Sequence, residues 1–240
     1  MKQFDLFSGD SPGKGTQYKS TTESSNADVF EGAVSNQVTK RNRRRLLPDI
    51  NAFFDGELHY FPDFLNRGEA DALFAVLRSQ LQWQPDQVKV YGKWHTIPRL
   101  QAWYGNPESH YSYSGKTLNP LPPTPELEVL RKACGEIAQV EFNSVLANLY
   151  RNGADCMGMH SDDEPELGEQ PAIASVTLGA TRRFDLVHKT EPVKLQLPLQ
   201  SGSLLLMCGD TQKHWQHGIA RTKQPVGERI NLTFRRVVKR

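Results

Sequence analysis

The segment Arg229-Ile230-Asn231-Leu232-Thr233-Phe234-Arg235 alternates without a break between polar and apolar residues. Successive side chains on extended backbone point to opposite sides, so a strict period of two predicts a strand with one face packed into a core. Ile230, Leu232 and Phe234 form the packed side, and Arg229, Asn231, Thr233 and Arg235 form the other. Two guanidinium groups on one face constrain the fold sharply. If that face is enclosed, each needs an anionic partner, because an unpaired buried charge is costly. If it is open, the segment is an exposed basic strand.

The second half of the chain shares this texture. Short alternating segments at 144–151, 173–178, 183–188, 193–197, 203–207 and 229–237 are separated by turn-rich pieces such as Asn152-Gly153, Gly179-Ala180 and Gln200-Ser201-Gly202. Many short strands at this spacing predict a mainly β chain folded as a sandwich or jelly roll. Two helices flank it. Asn66 followed by Glu69 marks one start, with Ala70, Leu73, Phe74, Leu77 and Leu81 on one face. Thr124-Pro125 opens the other, with Leu127, Leu130, Cys134 and Ile137 as its apolar stripe.

Residues 8–39 are rich in Ser, Thr, Gly, Asn and Asp and show no periodicity, so they cannot bury enough surface to offset their ordering entropy. We read 1–45 as a disordered tail, closed by the basic run Lys40-Arg41-Asn42-Arg43-Arg44-Arg45, and 46–240 as one folded domain. The run is a solvated junction, a phosphate contact or a nuclear-import signal. A formal net charge of +2 leaves a nucleic-acid partner neither required nor excluded. Cys134, Cys156 and Cys208 are odd in number and form no C-x-x-C, which argues against a disulfide framework or a zinc ribbon. No apolar run reaches the roughly 18 residues of a membrane span. The expectation is an intracellular monomer, cytoplasmic in a bacterium and nuclear in a eukaryote.

His160-Ser161-Asp162 sets an imidazole and a carboxylate two residues apart, on one side of an extended segment and within reach of one metal ion. The third ligand must come from elsewhere, and His214 and His217 are the candidates. Two histidines and a carboxylate on one face leave three positions open, which suits Fe(II) with a chelating co-substrate and O₂. A zinc hydrolase can use the same set. The alternating strand arbitrates, because a dicarboxylate such as 2-oxoglutarate offers a carboxylate to each arginine fork.

Together, Asn148-x-Tyr150, His160-x-Asp162, His214-Trp215-x-His217 and Arg229-x-Asn231-x-Thr233-x-Arg235 resemble the AlkB family of DNA and RNA dealkylases. Within it they are most similar to the double-strand DNA repair branch, from about Tyr60 to Val237. The resemblance implies a double-stranded β-helix core over about 144–238. It implies His160, Asp162 and His217 as ligands to Fe(II), with Asn148, Tyr150, Arg229 and Arg235 holding 2-oxoglutarate and Asn231 and Thr233 supporting them. The implied reaction decarboxylates 2-oxoglutarate to succinate and removes a methyl group from 1-methyladenine or 3-methylcytosine as formaldehyde. Glu164 matches the acid that contacts the cationic base.

A methyl group on a Watson–Crick edge is reached only after the nucleotide leaves the stack. The resemblance therefore assigns a nucleotide-recognition region to about 84–120. There Tyr91 at a Gly-containing hairpin tip is the wedge, Tyr111 and Tyr113 are the lid over the flipped base, and Arg99 is a polar contact. The partner implied is alkylated DNA, double-stranded by the wedge. At the other end, Gln3-Phe4-Asp5-Leu6-Phe7 resembles the bacterial sliding-clamp-binding motif, with Gln3, Leu6 and Phe7 as its anchors on a flexible leash. Competing readings are an oxygenase acting on RNA or protein, and a non-catalytic nucleic-acid-binding jelly roll.

Overall fold

A computed structural model describes residues 55–90, 92–108, 111–113, 116–118 and 120–238. The expected tail, its basic run, the domain start near Leu46 and the Gln3, Leu6 and Phe7 anchors lie outside the described residues. In chain order the elements are β1 (Glu57–Phe61), α1 (Arg67–Gln80), β2 (Gln84–Val90), β3 (Lys93–Gly105), β4 (Tyr111–Tyr113), β5 (Lys116–Leu118), α2 (Pro125–Ala138), β6 (Ser144–Tyr150) and β7 (Met157–His160). After a 3₁₀ turn at Pro165–Leu167 come β8 (Ile173–Gly179), β9 (Arg182–His188), β10 (Lys194–Leu199), β11 (Ser203–Cys208), α3 (Thr211–His214), β12 (Trp215–Ile219) and β13 (Arg229–Arg235).

Helix starts follow the sequence signals. The Asn66 side chain accepts the Glu69 amide at 3.0 Å, and the Glu69 carboxylate accepts the Asn66 amide at 2.7 Å, closing a capping box. Thr124 caps α2 ahead of Pro125. Strands β6, β8, β9, β10, β11 and β13 appear within two residues of their expected bounds. Strands β1, β7 and β12 carry no period-two signal of their own and emerge only from pairing.

The strands form a seven-stranded sheet, ordered β1-β11-β8-β13-β6-β3-β2, and a four-stranded sheet, ordered β10-β9-β12-β7. The pairings within both are antiparallel. Alternation divides the large sheet between two cores. Val145, Ala147, Leu149, Ile230, Leu232 and Phe234 pack with Leu73 and Leu77 of α1 and Leu127 and Leu130 of α2. Leu146, Tyr150, Ile173 and Leu205 pack instead with Phe184, Leu186 and Trp215 of the small sheet. The result is a jelly-roll sandwich with helices on one outer face. The polar side of β13 therefore faces the space between the sheets, where Arg229 and Arg235 are 0% and 4% exposed.

Gly179, at the end of β8, stands directly across from Arg229 with φ of 81°. A Cβ there would lie 2.5 Å from the Glu228 carbonyl oxygen and 2.8 Å from the Phe74 ring. Glu228 is itself clamped by the Arg78 guanidinium of α1 at 2.8 and 3.0 Å, so the backbone has little room to yield. Gly179→Ala should cost about 1–3 kcal/mol of stability, read as a lower midpoint in chemical denaturation. A midpoint equal to that of the parent would show that this corner relaxes freely.

Candidate metal and co-substrate site

His160 and His217 face each other directly across the β7–β12 ladder. Their ring centroids are 4.4 Å apart. Asp162 lies beyond the end of β7, and its Oδ2 is 3.8 Å from His217 Nε2. A donor atom from each of these three residues lies within 4.8 Å of the others. First-row metal bonds of about 2.0–2.2 Å can draw such a set onto one ion with little movement.

Strand β7 ends at His160, so no strand pairing fixes Asp162. Hydrogen bonds to neighbouring elements place it. Ser161 Oγ donates to the Trp215 carbonyl at 2.8 Å, tying the segment to the start of β12. The Asp162 amide donates to Gln212 Oε1 at 2.9 Å, and Gln212 is 1% exposed. His160 Nδ1 lies 2.9 Å from the Gly158 carbonyl oxygen, which can only accept, so Nδ1 carries the proton and Nε2 keeps its lone pair.

Charge completes the arrangement. Asp162 is 3% exposed, and its Oδ1 accepts from Arg235 Nη2 at 2.6 Å. Burial by itself would raise its pKa. The charge of Arg235, with that of the two imidazoles, outweighs burial and brings it down to about 2. Burial lowers His217 to about 3. Both groups are therefore in their metal-binding forms at neutral pH. Asp162 Oδ2 is buried with no hydrogen-bond partner among the described residues, an unsatisfied oxygen at the point the donors share. The donor set fits a divalent iron.

His214 is not part of this set. It stacks on His188, with ring centroids 5.9 Å apart, and groups with His188 and Asp55. His188 Nδ1 accepts the Glu191 amide at 2.9 Å, which puts the proton of the neutral ring on Nε2. No lone pair remains there for a metal, so the two histidine–aspartate groups differ in kind.

The co-substrate candidates lie along rows that cross the large sheet. Arg229 is opposite Tyr150, and Asn231 is opposite Asn148 on one side and Thr177 on the other. Arg229 Nη2 donates to Thr177 Oγ1 at 2.9 Å and its guanidinium lies over the Tyr150 ring, while its Nε and Nη1 are buried with no hydrogen-bond partner among the described residues. Leaving two charged donors unsatisfied is expensive, and a carboxylate would satisfy both. Asn148 Oδ1 accepts from Arg99 at 2.7 Å and Gln101 at 2.9 Å, which turns its amide NH₂ away from them. Asn231 donates to Ser175 Oγ and the Val176 carbonyl. Thr233 is buried in the same strand.

Two arginines also have partners within the protein. Arg235, expected to meet a carboxylate of 2-oxoglutarate, gives its Nη2 to Asp162, a contact that alternation along one strand could not reveal. Arg99, expected as a polar contact to the base, is 4% exposed and bonds Asn148 and the Cys156 carbonyl. Glu164 is half-buried where the 3₁₀ turn begins, two residues past Asp162. Tyr111 and Tyr113 occupy the ends of β4, paired with Leu118 and Lys116 of β5, and Tyr91 lies outside the described residues. Sequence reasoning missed Gln212, Gln101 and Thr177. None carries charge or a spacing signal, and each is identified only by its contact.

His160→Ala, Asp162→Ala and His217→Ala should each abolish stoichiometric Fe(II) binding in an anaerobic titration, while His214→Ala binds as the parent does. Loss of binding in His214→Ala with retention in His217→Ala would reverse the assignment.

Comparison with known proteins agrees with this geometry. Residues 57–235 match the family described as the 2OG-Fe(II) oxygenase superfamily. The chain is 40% identical over 183 residues to the human protein named DNA oxidative demethylase ALKBH2, covering 72% of this chain and 70% of that one. It is 39% identical over 187 residues to human alpha-ketoglutarate-dependent dioxygenase alkB homolog 3, covering 74% and 65%. Among solved structures, OsALKBH1 superposes with a TM-score of 0.56 at 20% identity, covering 77% of this chain and all of that one, a likeness of fold. The chain belongs to the 2OG-Fe(II) oxygenase superfamily and, within it, to the AlkB family of dioxygenases, which makes Fe(II), 2-oxoglutarate and O₂ its cofactors.

Proposed function

We propose that the protein is a DNA repair dioxygenase that oxidatively demethylates 1-methyladenine and 3-methylcytosine, releasing formaldehyde and succinate. The observation that carries this reading is the unsatisfied Asp162 Oδ2 at a metal-ready triad, enclosed between the same sheets as the unsatisfied Arg229. The human relative's name, DNA oxidative demethylase, supports DNA as the substrate class. In this reading His160, Asp162 and His217 would hold Fe(II), a donor set suited to an ion that must also take up a chelating co-substrate and O₂. Arg229, Arg235, Tyr150 and Asn148 hold 2-oxoglutarate, and Arg235 also fixes Asp162. Bound Fe(II), with O₂ and 2-oxoglutarate, supplies the oxidising power needed for a methyl C–H bond. Glu164 favours cationic bases by charge.

The β2–β3 ribbon supports duplex DNA as the preferred substrate. Gly92 through Thr96 are all exposed, so both faces of this stretch stand clear of the domain, with Trp94 56% exposed beside the tip. A protruding ribbon with an aromatic tip can enter a stack and fill the space left by a flipped base. We also propose that the monomer is tethered to a sliding clamp through Gln3, Leu6 and Phe7. Two bulky apolar residues have little other reason to stand in so polar a segment.

Formaldehyde should be released from 1-methyladenine and 3-methylcytosine oligonucleotides only when both Fe(II) and 2-oxoglutarate are present. Release from neither lesion would overturn the reading. Tyr91→Ala should slow duplex repair by about 5- to 150-fold, the equivalent of a base–aromatic stack of about 1–3 kcal/mol, and leave single strands nearly unaffected. Equal losses on both would mark Tyr91 as a core residue. A peptide spanning Gln3 to Phe7 should bind a bacterial clamp, and a combined Leu6→Ala and Phe7→Ala change should remove binding while oligonucleotide repair persists. Absence of binding at high micromolar clamp would sink the tether.

A further inference from the structure

Arg182, the first residue of β9, is 4% exposed and has no part in the reading given so far. Its guanidinium lies 5.8 Å from the centre of the Tyr150 ring, and that of Arg229 lies 5.1 Å from the same ring. One phenol thus carries two buried cations. Each has been drawn below its ordinary pKa by burial.

The two are satisfied differently. Arg182 Nη1 donates to the Asn152 carbonyl at 3.2 Å, and its Nη2 donates to the carbonyls of Asp155 at 3.1 Å and Ala220 at 2.7 Å. These are neutral dipoles. Asp155, the acid whose field reaches Arg182, gives both carboxylate oxygens to Arg151 at 2.8 and 2.9 Å. Arg182 is therefore held in place without a carboxylate of its own, and its positive charge remains to act across Tyr150. Carbonyl cages orient a cation but do not cancel it, and in a buried region its field is weakly screened.

We propose that Arg182 is a positioning residue for the co-substrate: it holds Tyr150 and lends a second positive charge to the dicarboxylate bound by Arg229, without touching it. The inference rests on the assignment of Arg229 and Tyr150 to 2-oxoglutarate. It explains why a second guanidinium, costly to bury, stands behind the phenol. The carbonyl contacts also join the turn after β6 to the segment after β12, so Arg182 links the co-substrate strand to the strand bearing His217. A purely structural role would rest on those bonds alone, and the two roles separate by charge.

The test uses Fe(II)-loaded protein under nitrogen, titrated with 2-oxoglutarate and with 2-oxopentanoate, which keeps the chelating end and replaces the distal carboxylate by a methyl group. Binding is followed by calorimetry, or by NMR for the weaker ligand. Arg182→Met should weaken 2-oxoglutarate about tenfold and 2-oxopentanoate by less than about twofold, as expected for a lost charge acting at a distance. Arg182→Lys, which keeps the charge but forms fewer carbonyl bonds, should retain 2-oxoglutarate affinity within about threefold. Equal weakening of both ligands in either variant, or no weakening in Arg182→Met, would overturn the proposal. If Arg182→Met fails to fold, the lysine variant decides: a kept preference for 2-oxoglutarate supports the proposal, and a lost one overturns it. Arg229→Met tests the underlying assignment separately, since a preference that survives this change would place the distal carboxylate elsewhere.

Discussion

The buried contact between Arg235 and Asp162 joins fold and site. A carboxylate that is 3% exposed would take up a proton if it stood alone, and a protonated oxygen is a poor metal ligand. The guanidinium 2.6 Å away keeps it anionic while engaging only Oδ1, which leaves Oδ2 for the ion. Arg235 belongs to the large sheet, and Asp162 follows a strand of the small one. One ion pair therefore spans the sandwich, and breaking such a pair typically costs about 3–5 kcal/mol. The sheets cannot slide relative to one another without disturbing the charge state of the metal face.

Around this pair the site is assembled from neutral hydrogen bonds that set proton positions. The Gly158 carbonyl selects the His160 tautomer, and the Gln212 amide seats the backbone of Asp162. The contrast with His188 is instructive, because two backbone amides, of Thr190 and Glu191, approach its Nδ1 and select the opposite tautomer. Residue type and proximity alone would have ranked the two histidine–aspartate groups together. Whether backbone amides or a backbone carbonyl meet Nδ1 separates them.

Much of this architecture was legible in the sequence, for specific reasons. The alternation in β13 located the enclosed polar face, since Ile230, Leu232 and Phe234 could be satisfied only by a core. Capping chemistry at Asn66 and Thr124 fixed the helix starts. The pairing of His160 with Asp162 was visible as spacing, but spacing left the third ligand open between His214 and His217; the family resemblance chose His217, and the register of β12 against β7 sets it opposite His160. Strand β12, with Trp215, His217 and Ile219 buried and Gly218 in its middle, has no composition that declares it a strand. Arginine partners were the hardest to read. An arginine on a strand face announces that an anion is near, but not whether that anion is a ligand or the protein's own aspartate. Arg235 and Arg99 both bond groups of the protein itself that no spacing announces, and Arg182 gave no signal at all.

The order of strands in the large sheet has a kinetic consequence. Apart from the β2–β3 hairpin, its neighbours are far apart in the chain: Glu57 and Thr211, which bond each other where β1 meets the turn after β11, are 154 positions apart. Asp162 and Arg235 are 73 apart. Contacts of such long range are made only after large loops have closed, and chains dominated by them fold slowly. The triad cannot be complete until β12 has docked between β7 and β9, so affinity for iron arises late on the folding route. An ion that binds only the finished arrangement draws the equilibrium toward it by mass action. Loading with iron would then slow the unfolding of the finished protein without hastening its folding.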